Sequence, residues 1–145
     1  MISTLVLLRS TIPDNIEVEL NLGEIPMIEC YPGKLNQVFM NILTNAIYAM
    51  KVKGPDTVNK LTITTQMKDD KVMITFEDTG IGMTQEVKEK MFDPFFTTKD
   101  VGEGTGLGMS IVFKIIESHH AKIEVDSETG RGTRITLVLN KKISR

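Results

Sequence analysis

Three groups of residues in this chain carry chemistry. Gln37, Asn41, Asn45 and Tyr48 recur at i, i+4, i+8 and i+11. At ~100° per residue that puts them on one narrow helix face, opposite an apolar stripe. Asn is a mediocre helix former because its side chain competes for backbone hydrogen bonds, so two of them one turn apart call for a reason. A solvated polar face accounts for the spacing. A pair of neutral amides projecting into a site accounts for the residue type, since an amide oxygen is a hard ligand suited to Mg²⁺ beside phosphate and water oxygens. The second group is Asp78-Thr79-Gly80-Ile81-Gly82-Met83, at the end of an alternating apolar run. A carboxylate there, with glycines letting backbone come close, can accept a hydrogen bond from an amino group such as N6 of adenine. An Asp-Thr-Gly turn is the plainer alternative. The third group is Gly102-Glu103-Gly104-Thr105-Gly106-Leu107-Gly108, which runs straight into a helical pattern. Exposed N–H groups and the positive end of a helix form an anion site suited to phosphates. No GxxxxGK[ST] occurs in the chain, and neither glycine cluster matches GxGxxG.

The elements that must hold these groups follow from periodicity. Ile16, Val18, Leu20 and Leu22 alternate with polar residues, the period of a half-buried strand. Ile25–Tyr31 reads as a second, shorter strand, and Pro32-Gly33 as a chain break. From Lys34 to Met50 the apolar residues Leu35, Val38, Phe39, Ile42, Leu43, Ala46, Ile47 and Met50 follow the 3.6-residue period of an amphipathic helix. Lys51–Asn59 is a loop. Leu61–Met67 and Val72–Phe76 form a hairpin around a turn at Lys68–Lys71. The stretch from Asp78 to about Thr105 is irregular, with one short helix at Gln85–Met91; loops this long are usually functional or mobile. Within it, Phe92-Asp93-Pro94-Phe95-Phe96 holds three aromatics that serve either as core plugs or as anchors of a lid. Lys99, three residues on, reaches a phosphate or is solvated. Leu107–Glu117 is a second helix, and Ile123–Val125 and Ile135–Leu139 a closing antiparallel pair around Glu128-Thr129-Gly130. The expected architecture is α+β: a two-layer sandwich with a mixed, mainly antiparallel sheet and helices on one face. A doubly wound nucleotide fold is disfavoured.

Composition narrows the classes. The 145 residues are 41% hydrophobic and 25% charged, an ordinary globular mix sized for one domain. Residues 1–11 are expected to be the remnant of an upstream helix, and 141–145 a frayed basic tail. A net charge of −2 argues against a nucleic-acid partner and against membrane contact by this domain. No apolar run reaches the ~18 residues needed to cross a bilayer. Cys30 is the only cysteine, which suits a reducing, cytoplasmic location, and with two adjacent histidines it makes a structural zinc site improbable.

Taken together, the motifs resemble those of sensor histidine kinases. Asn41-Ile-Leu-Thr-Asn45-Ala46 looks like their N box, Asp78-Thr-Gly-Ile-Gly82 the G1 box, Phe92-Asp-Pro-Phe-Phe96 the F box, and Gly104-Thr-Gly-Leu-Gly108 the G2 box. Gly130-Arg-Gly-Thr133 is similar to the entry into the family's last strand. The ordered set spans residues 12–140 and is far more specific than any one box. The resemblance implies the Bergerat ATP-binding fold shared with gyrase, Hsp90 and MutL. It implies that Asp78 binds the adenine amino group, that Gly80, Gly82 and Met83 line the base pocket, and that Thr133 assists through water. It makes Asn45 the Mg²⁺ ligand and places Asn41 at the metal and phosphate end, the two catalytic residues. Gly104, Thr105, Gly106, Leu107 and Gly108 become the lid and phosphate cradle, with Lys99 beside them. Phe92, Phe95 and Phe96 set the lid and a docking surface.

The implied activity is an ATP-dependent protein-histidine kinase that transfers the γ-phosphoryl of Mg-ATP to a histidine on a separate dimerisation domain. The receiver domain of a response regulator is the further partner. The alternative is a nucleotide-binding module or an ATPase of the gyrase or Hsp90 type. Those relatives carry a glutamate base where this chain has Asn41, and an amide cannot take a proton. Two departures stand out. Tyr48 occupies a position where many relatives carry a charged residue. No phosphoacceptor box is present, and His119 and His120, at the end of a helix, are expected to be structural.

Overall fold

The computed structural model describes residues 16–23, 32–53, 59–93 and 108–140. Five strands form one sheet: β1 (Ile16–Leu22), β2 (Asn59–Lys68), β3 (Lys71–Asp78), β4 (Lys122–Glu128) and β5 (Gly132–Asn140), in the order β1-β2-β3-β5-β4. β1 runs parallel to β2, and every other pairing is antiparallel. Three helices complete the described chain: α1 (Pro32–Lys53), α2 (Gln85–Lys90) and α3 (Gly108–Ser118). The mixed, mainly antiparallel sheet with helices matches the α+β expectation.

α1 exists because its apolar residues recur at the helical period, and all eight of the stripe from Leu35 to Met50 are buried. It is longer at both ends than the pattern suggests. Pro32 does not break the chain but opens the helix, where its fixed φ and missing N–H cost nothing. At the other end Lys51 and Lys53 extend the last turn, as cations favour a helix C-terminus. The loop is thereby shortened, and Asn59 belongs to β2.

The sheet faces α1 and α3 through registered apolar rows: Leu61, Ile63, Val72, Ile74, Phe76, Ile135, Leu137 and Leu139 are all buried. The β2–β3 hairpin turns through Asp69 and Asp70, both at positive φ, as the tight two-residue turn requires. α3 ends in a left-handed His120, with Ala121 N–H donating to the Ile116 carbonyl and His120 N–H to Glu117. His119 is buried, its Nδ1 2.8 Å from the Ile115 carbonyl oxygen.

β1 departs from its expected half-buried character. Ile16 is buried, but Val18, Leu20 and Leu22 are 40%, 44% and 42% exposed. They alternate correctly, but β1 is an edge strand, and among the described residues the helices pack chiefly against β3 and β4 rather than over β1. The short strand expected at Ile25–Tyr31, residues 1–11 and the tail at 141–145 lie outside the described residues.

One buried polar junction ties the layers together. Asn59 is fully buried, and its amide nitrogen donates to the Met50 carbonyl at 3.2 Å. The Thr79 hydroxyl donates to the Asn59 amide oxygen at 3.3 Å and accepts the Lys60 N–H at 2.9 Å. Replacing Asn59 with Ala strands these partners away from water. Asn59→Ala is expected to lower unfolding stability by about 2 kcal/mol, read as a reduced urea midpoint at unchanged slope; an unshifted midpoint would contradict the junction.

Candidate functional site

Asp78 ends β3, and strand alternation sends it to the helix side with Val72, Ile74 and Phe76. It is therefore a carboxylate in the apolar layer, 8% exposed. Its Oδ1 accepts the Gly80 N–H at 2.9 Å, and the Thr133 backbone N–H also donates to it. Burial pushes its pKa up from 3.8 to about 6, with Glu77 adding to the rise. The two backbone donors and Lys53 work against it.

In front of Asp78 lies a cavity of about 150 Å³. Asn45 and Tyr48 of α1, Gly82 and Met83 of the loop after β3, and Asp78 and Thr133 of the paired strands all line it. The rest of the wall is apolar, including Ile42, Ala49, Phe76, Val87, Met109 and Ile135. A small, largely apolar cleft with a few convergent polar groups is the usual form of a ligand site. Asn45 is half-buried beside Ile42 and Ala46, on the border of the apolar stripe rather than opposite it. Among the described residues no group of three or more His, Cys, Asp or Glu could hold a metal ion. A hard cation here would depend on the Asn45 amide oxygen plus oxygens brought by a ligand and water.

The loop after β3 is clamped on both sides. Ile81 N–H donates to the Ala49 carbonyl of α1 at 3.3 Å, and Gly130 N–H donates to the Ile81 carbonyl at 2.8 Å. Gly80 is buried against Ala49, so it supports the loop without lining the cavity. Gly82 has φ +72° and a Cβ there would overlap the Glu128 carbonyl; Gly132, at φ +121°, packs as closely on the Asp78 carbonyl. Neither position admits a side chain. Lys53 Nζ donates to the Thr79 carbonyl at 2.7 Å and fixes the loop's first residue to the end of α1.

Asn41 does not line the cavity. Its amide nitrogen donates to the Gly108 carbonyl at 3.3 Å, joining α1 to the first residue of α3. Phe92 packs on Phe113 of α3 with ring centroids 5.4 Å apart, and Phe113 is itself exposed. Lys99, Gly104, Thr105, Gly106 and Leu107, with Phe95 and Phe96, lie outside the described residues. Ser127, Lys53 and Asn59 carry polar roles around the cavity that no sequence motif announced. Their partners, Met83 for Ser127, Thr79 for Lys53 and both Met50 and Thr79 for Asn59, come from other elements, and only the fold brings them together.

The family described as histidine kinase-, DNA gyrase B- and HSP90-like ATPase matches residues 30–143. Sporulation kinase E of Bacillus subtilis is 43% identical over 126 residues, covering 86% of this chain and 16% of its own length. Sensor kinase CckA of Brucella abortus is 36% identical over 149 residues, covering 95% of this chain and again 16% of its own. This chain thus spans a small part of the curated relatives it matches. Among solved structures, the catalytic domain of histidine kinase ThkA, in a nucleotide-free form, superposes with a TM-score of 0.81 at 33% identity. That match covers 97% of this chain and 89% of ThkA's. The chain therefore belongs to the histidine kinase-, DNA gyrase B- and HSP90-like ATPase family, and within it is similar to the catalytic domains of sensor histidine kinases.

Proposed function

We propose that this chain is the catalytic domain of a sensor histidine kinase. It binds Mg-ATP in the cavity before Asp78 and transfers the γ-phosphoryl to a histidine on a separate dimerisation domain. The receiver domain of a response regulator then takes the phosphoryl group, and the domain works in the cytoplasm. The observation that carries this is the meeting of Asp78, Thr133, Gly82, Met83 and Asn45 on one apolar-walled cavity.

Each group has one task. The Asp78 carboxylate accepts a hydrogen bond from an exocyclic amine, which identifies adenine. The apolar wall holds the base by its faces, and Met83 adapts to its edge. Asn45, on the cavity wall, offers the amide oxygen that would ligate the metal at the phosphates. When bound, Mg²⁺ supplies charge neutralisation at the phosphates. Asn41 braces α3 through Gly108 and, being an amide, offers no base to activate water. This favours transfer over hydrolysis. Phosphoryl transfer asks mainly for positioning and charge neutralisation, and the acceptor imidazole brings its own nucleophilic nitrogen.

An ionised carboxylate in this place is costly to the fold, which argues for a ligand that uses it. Its folded pKa of about 6 lies above the usual 3.8. Between these values the folded chain holds a proton that the unfolded chain has lost. Stability therefore falls as pH rises through that window, and above it the penalty is complete, at ~3 kcal/mol. Asp78→Asn removes this penalty and keeps an acceptor for one backbone N–H. It is expected to raise unfolding stability at pH 7 by about 1–3 kcal/mol, flatten the pH dependence, and weaken ADP binding at least tenfold. Urea titration at two pH values with calorimetry checks both halves. Unchanged ADP affinity would overturn the base assignment.

A donor bound to the carboxylate favours its ionised form, so ADP affinity of the parent chain falls as pH drops through about 6. Asn45→Ala is expected to weaken ATP binding about tenfold with Mg²⁺ present and little with EDTA, since an amide–metal contact works only with metal. Equal losses in both conditions would contradict its role.

A further inference from the structure

Ser127 lies on β4 opposite Thr133, outside the wall of the cavity, yet three groups converge on its hydroxyl. Met83 N–H donates to Ser127 Oγ at 2.8 Å, the Gly132 carbonyl oxygen stands 3.0 Å away, and Thr133 Oγ1 stands 2.8 Å away. A serine hydroxyl has one proton and two lone pairs. The Met83 amide can only donate, so it occupies one lone pair. The Gly132 carbonyl can only accept, so it takes the single proton. What remains for Thr133 is the second lone pair, and Thr133 must fill it with its own proton.

We propose that Ser127 is a specificity-determining positioning residue: by drawing the Thr133 proton away from the cavity, it makes the Thr133 hydroxyl an acceptor toward the base. This rests on the assignment of an adenine pocket at Asp78. With Ser127 in place, both polar groups at the cavity floor, Asp78 and Thr133, present acceptors. They match a ligand edge that offers hydrogens, namely a 6-amino purine directly or through a water that donates. They oppose an oxygen at the 6 position, where O6 would face lone pairs on both sides. Without the Ser127 hydroxyl, the Thr133 proton is free to turn into the cavity and serve O6.

The same serine also holds the Met83 amide, so its loss loosens the loop. That effect alone weakens every purine alike. The test therefore reads discrimination rather than affinity. ADP and IDP differ at the 6 position of the base, amino against oxo, and at N1, an acceptor in ADP and an N–H donor in IDP; the diphosphate of 6-methoxypurine riboside, with an acceptor at both places, isolates the 6 position and is measured alongside. Their dissociation constants are measured by calorimetry on the 145-residue chain and on Ser127→Ala, Ser127→Thr, Thr133→Val and the Ser127→Ala/Thr133→Val double variant. Ser127→Ala is expected to narrow the preference for ADP over IDP by about fivefold or more, the size of one hydrogen bond. Ser127→Thr, which keeps the hydroxyl, restores the preference. In the Thr133→Val background, adding Ser127→Ala leaves the ratio unchanged. Should Ser127→Ala fail to fold, Ser127→Cys, with a near-equal volume and a weak donor, is expected to narrow the ratio in the same direction. Equal weakening of ADP and IDP by Ser127→Ala, or a ratio that still shifts without the Thr133 hydroxyl, would overturn the inference. The two failures are separable. If Asp78→Asn leaves ADP binding intact, the pocket assignment itself falls. If Asp78→Asn abolishes ADP binding while Ser127→Ala leaves the ratio at its parent value, only the role of Ser127 falls.

Discussion

The third alternate residue of β3, Phe76, is followed on the same face by a carboxylate. The alternation that buries Val72, Ile74 and Phe76 carries Asp78 into the same layer. A buried acid is tolerated only with hydrogen-bonding partners. Here they are backbone N–H groups, from Gly80 two residues on and from Thr133 across the ladder. Both donors exist only if the chain turns sharply after β3 and if β5 registers Thr133 against Asp78. The turn in turn needs glycine at 80 and 82, because Ala49 and the Glu128 carbonyl press on it from either side. One ionisable side chain thus sets the requirements for a loop, a helix end and a strand register.

The opposite wall comes from α1, and it solves a different problem. A helix that packs on a sheet must turn an apolar stripe toward it, and that stripe is complete here from Leu35 to Met50. Asn45 sits at the stripe's margin, so it meets the cavity without sinking into the core. Asn41, one turn earlier, falls beyond the margin and spends its amide on Gly108. Two asparagines with the same spacing rule therefore do different things: one faces the cavity, the other binds two helices together.

Local pattern was enough to find what depends on local pattern. The amphipathic period exposed α1 and α3, alternation exposed β1, β2, β3 and β5, and Asp69-Asp70 lay inside a stretch already marked as a turn. The misreadings share a cause. Pro32 was a helix start rather than a break, because proline's meaning depends on which side of it the helix lies. Val18, Leu20 and Leu22 alternate as a half-buried strand would, but sheet order, which alternation does not encode, puts them on the edge and exposed. Asp78, Gly82, Met83, Thr133 and Asn45, which the structure brings to one cavity, stand out in the sequence as candidates because they sit in compact motifs. Ser127 and Asn59 do not, since a lone Ser in a strand and a lone Asn at the start of one are unremarkable until the fold supplies their partners.

The Asp78 end of the cavity is cross-braced by the fold itself. Ile81 is bonded to Ala49 on one side and to Gly130 on the other, Met83 is held by Ser127, and Thr79 is held by Lys53 and Asn59. Every one of these bonds is made within the fold. The cost of holding the loop, and of desolvating Asp78, is therefore met by folding free energy rather than by binding free energy. That division has a consequence for recognition. On the proposed adenine reading, a floor held this way does not re-form readily around another base, and a mismatched edge leaves buried acceptors facing acceptors. Selectivity on that reading depends on the bonds that hold the floor as much as on the groups displayed, and those bonds lie one layer behind the residues proposed to touch the ligand.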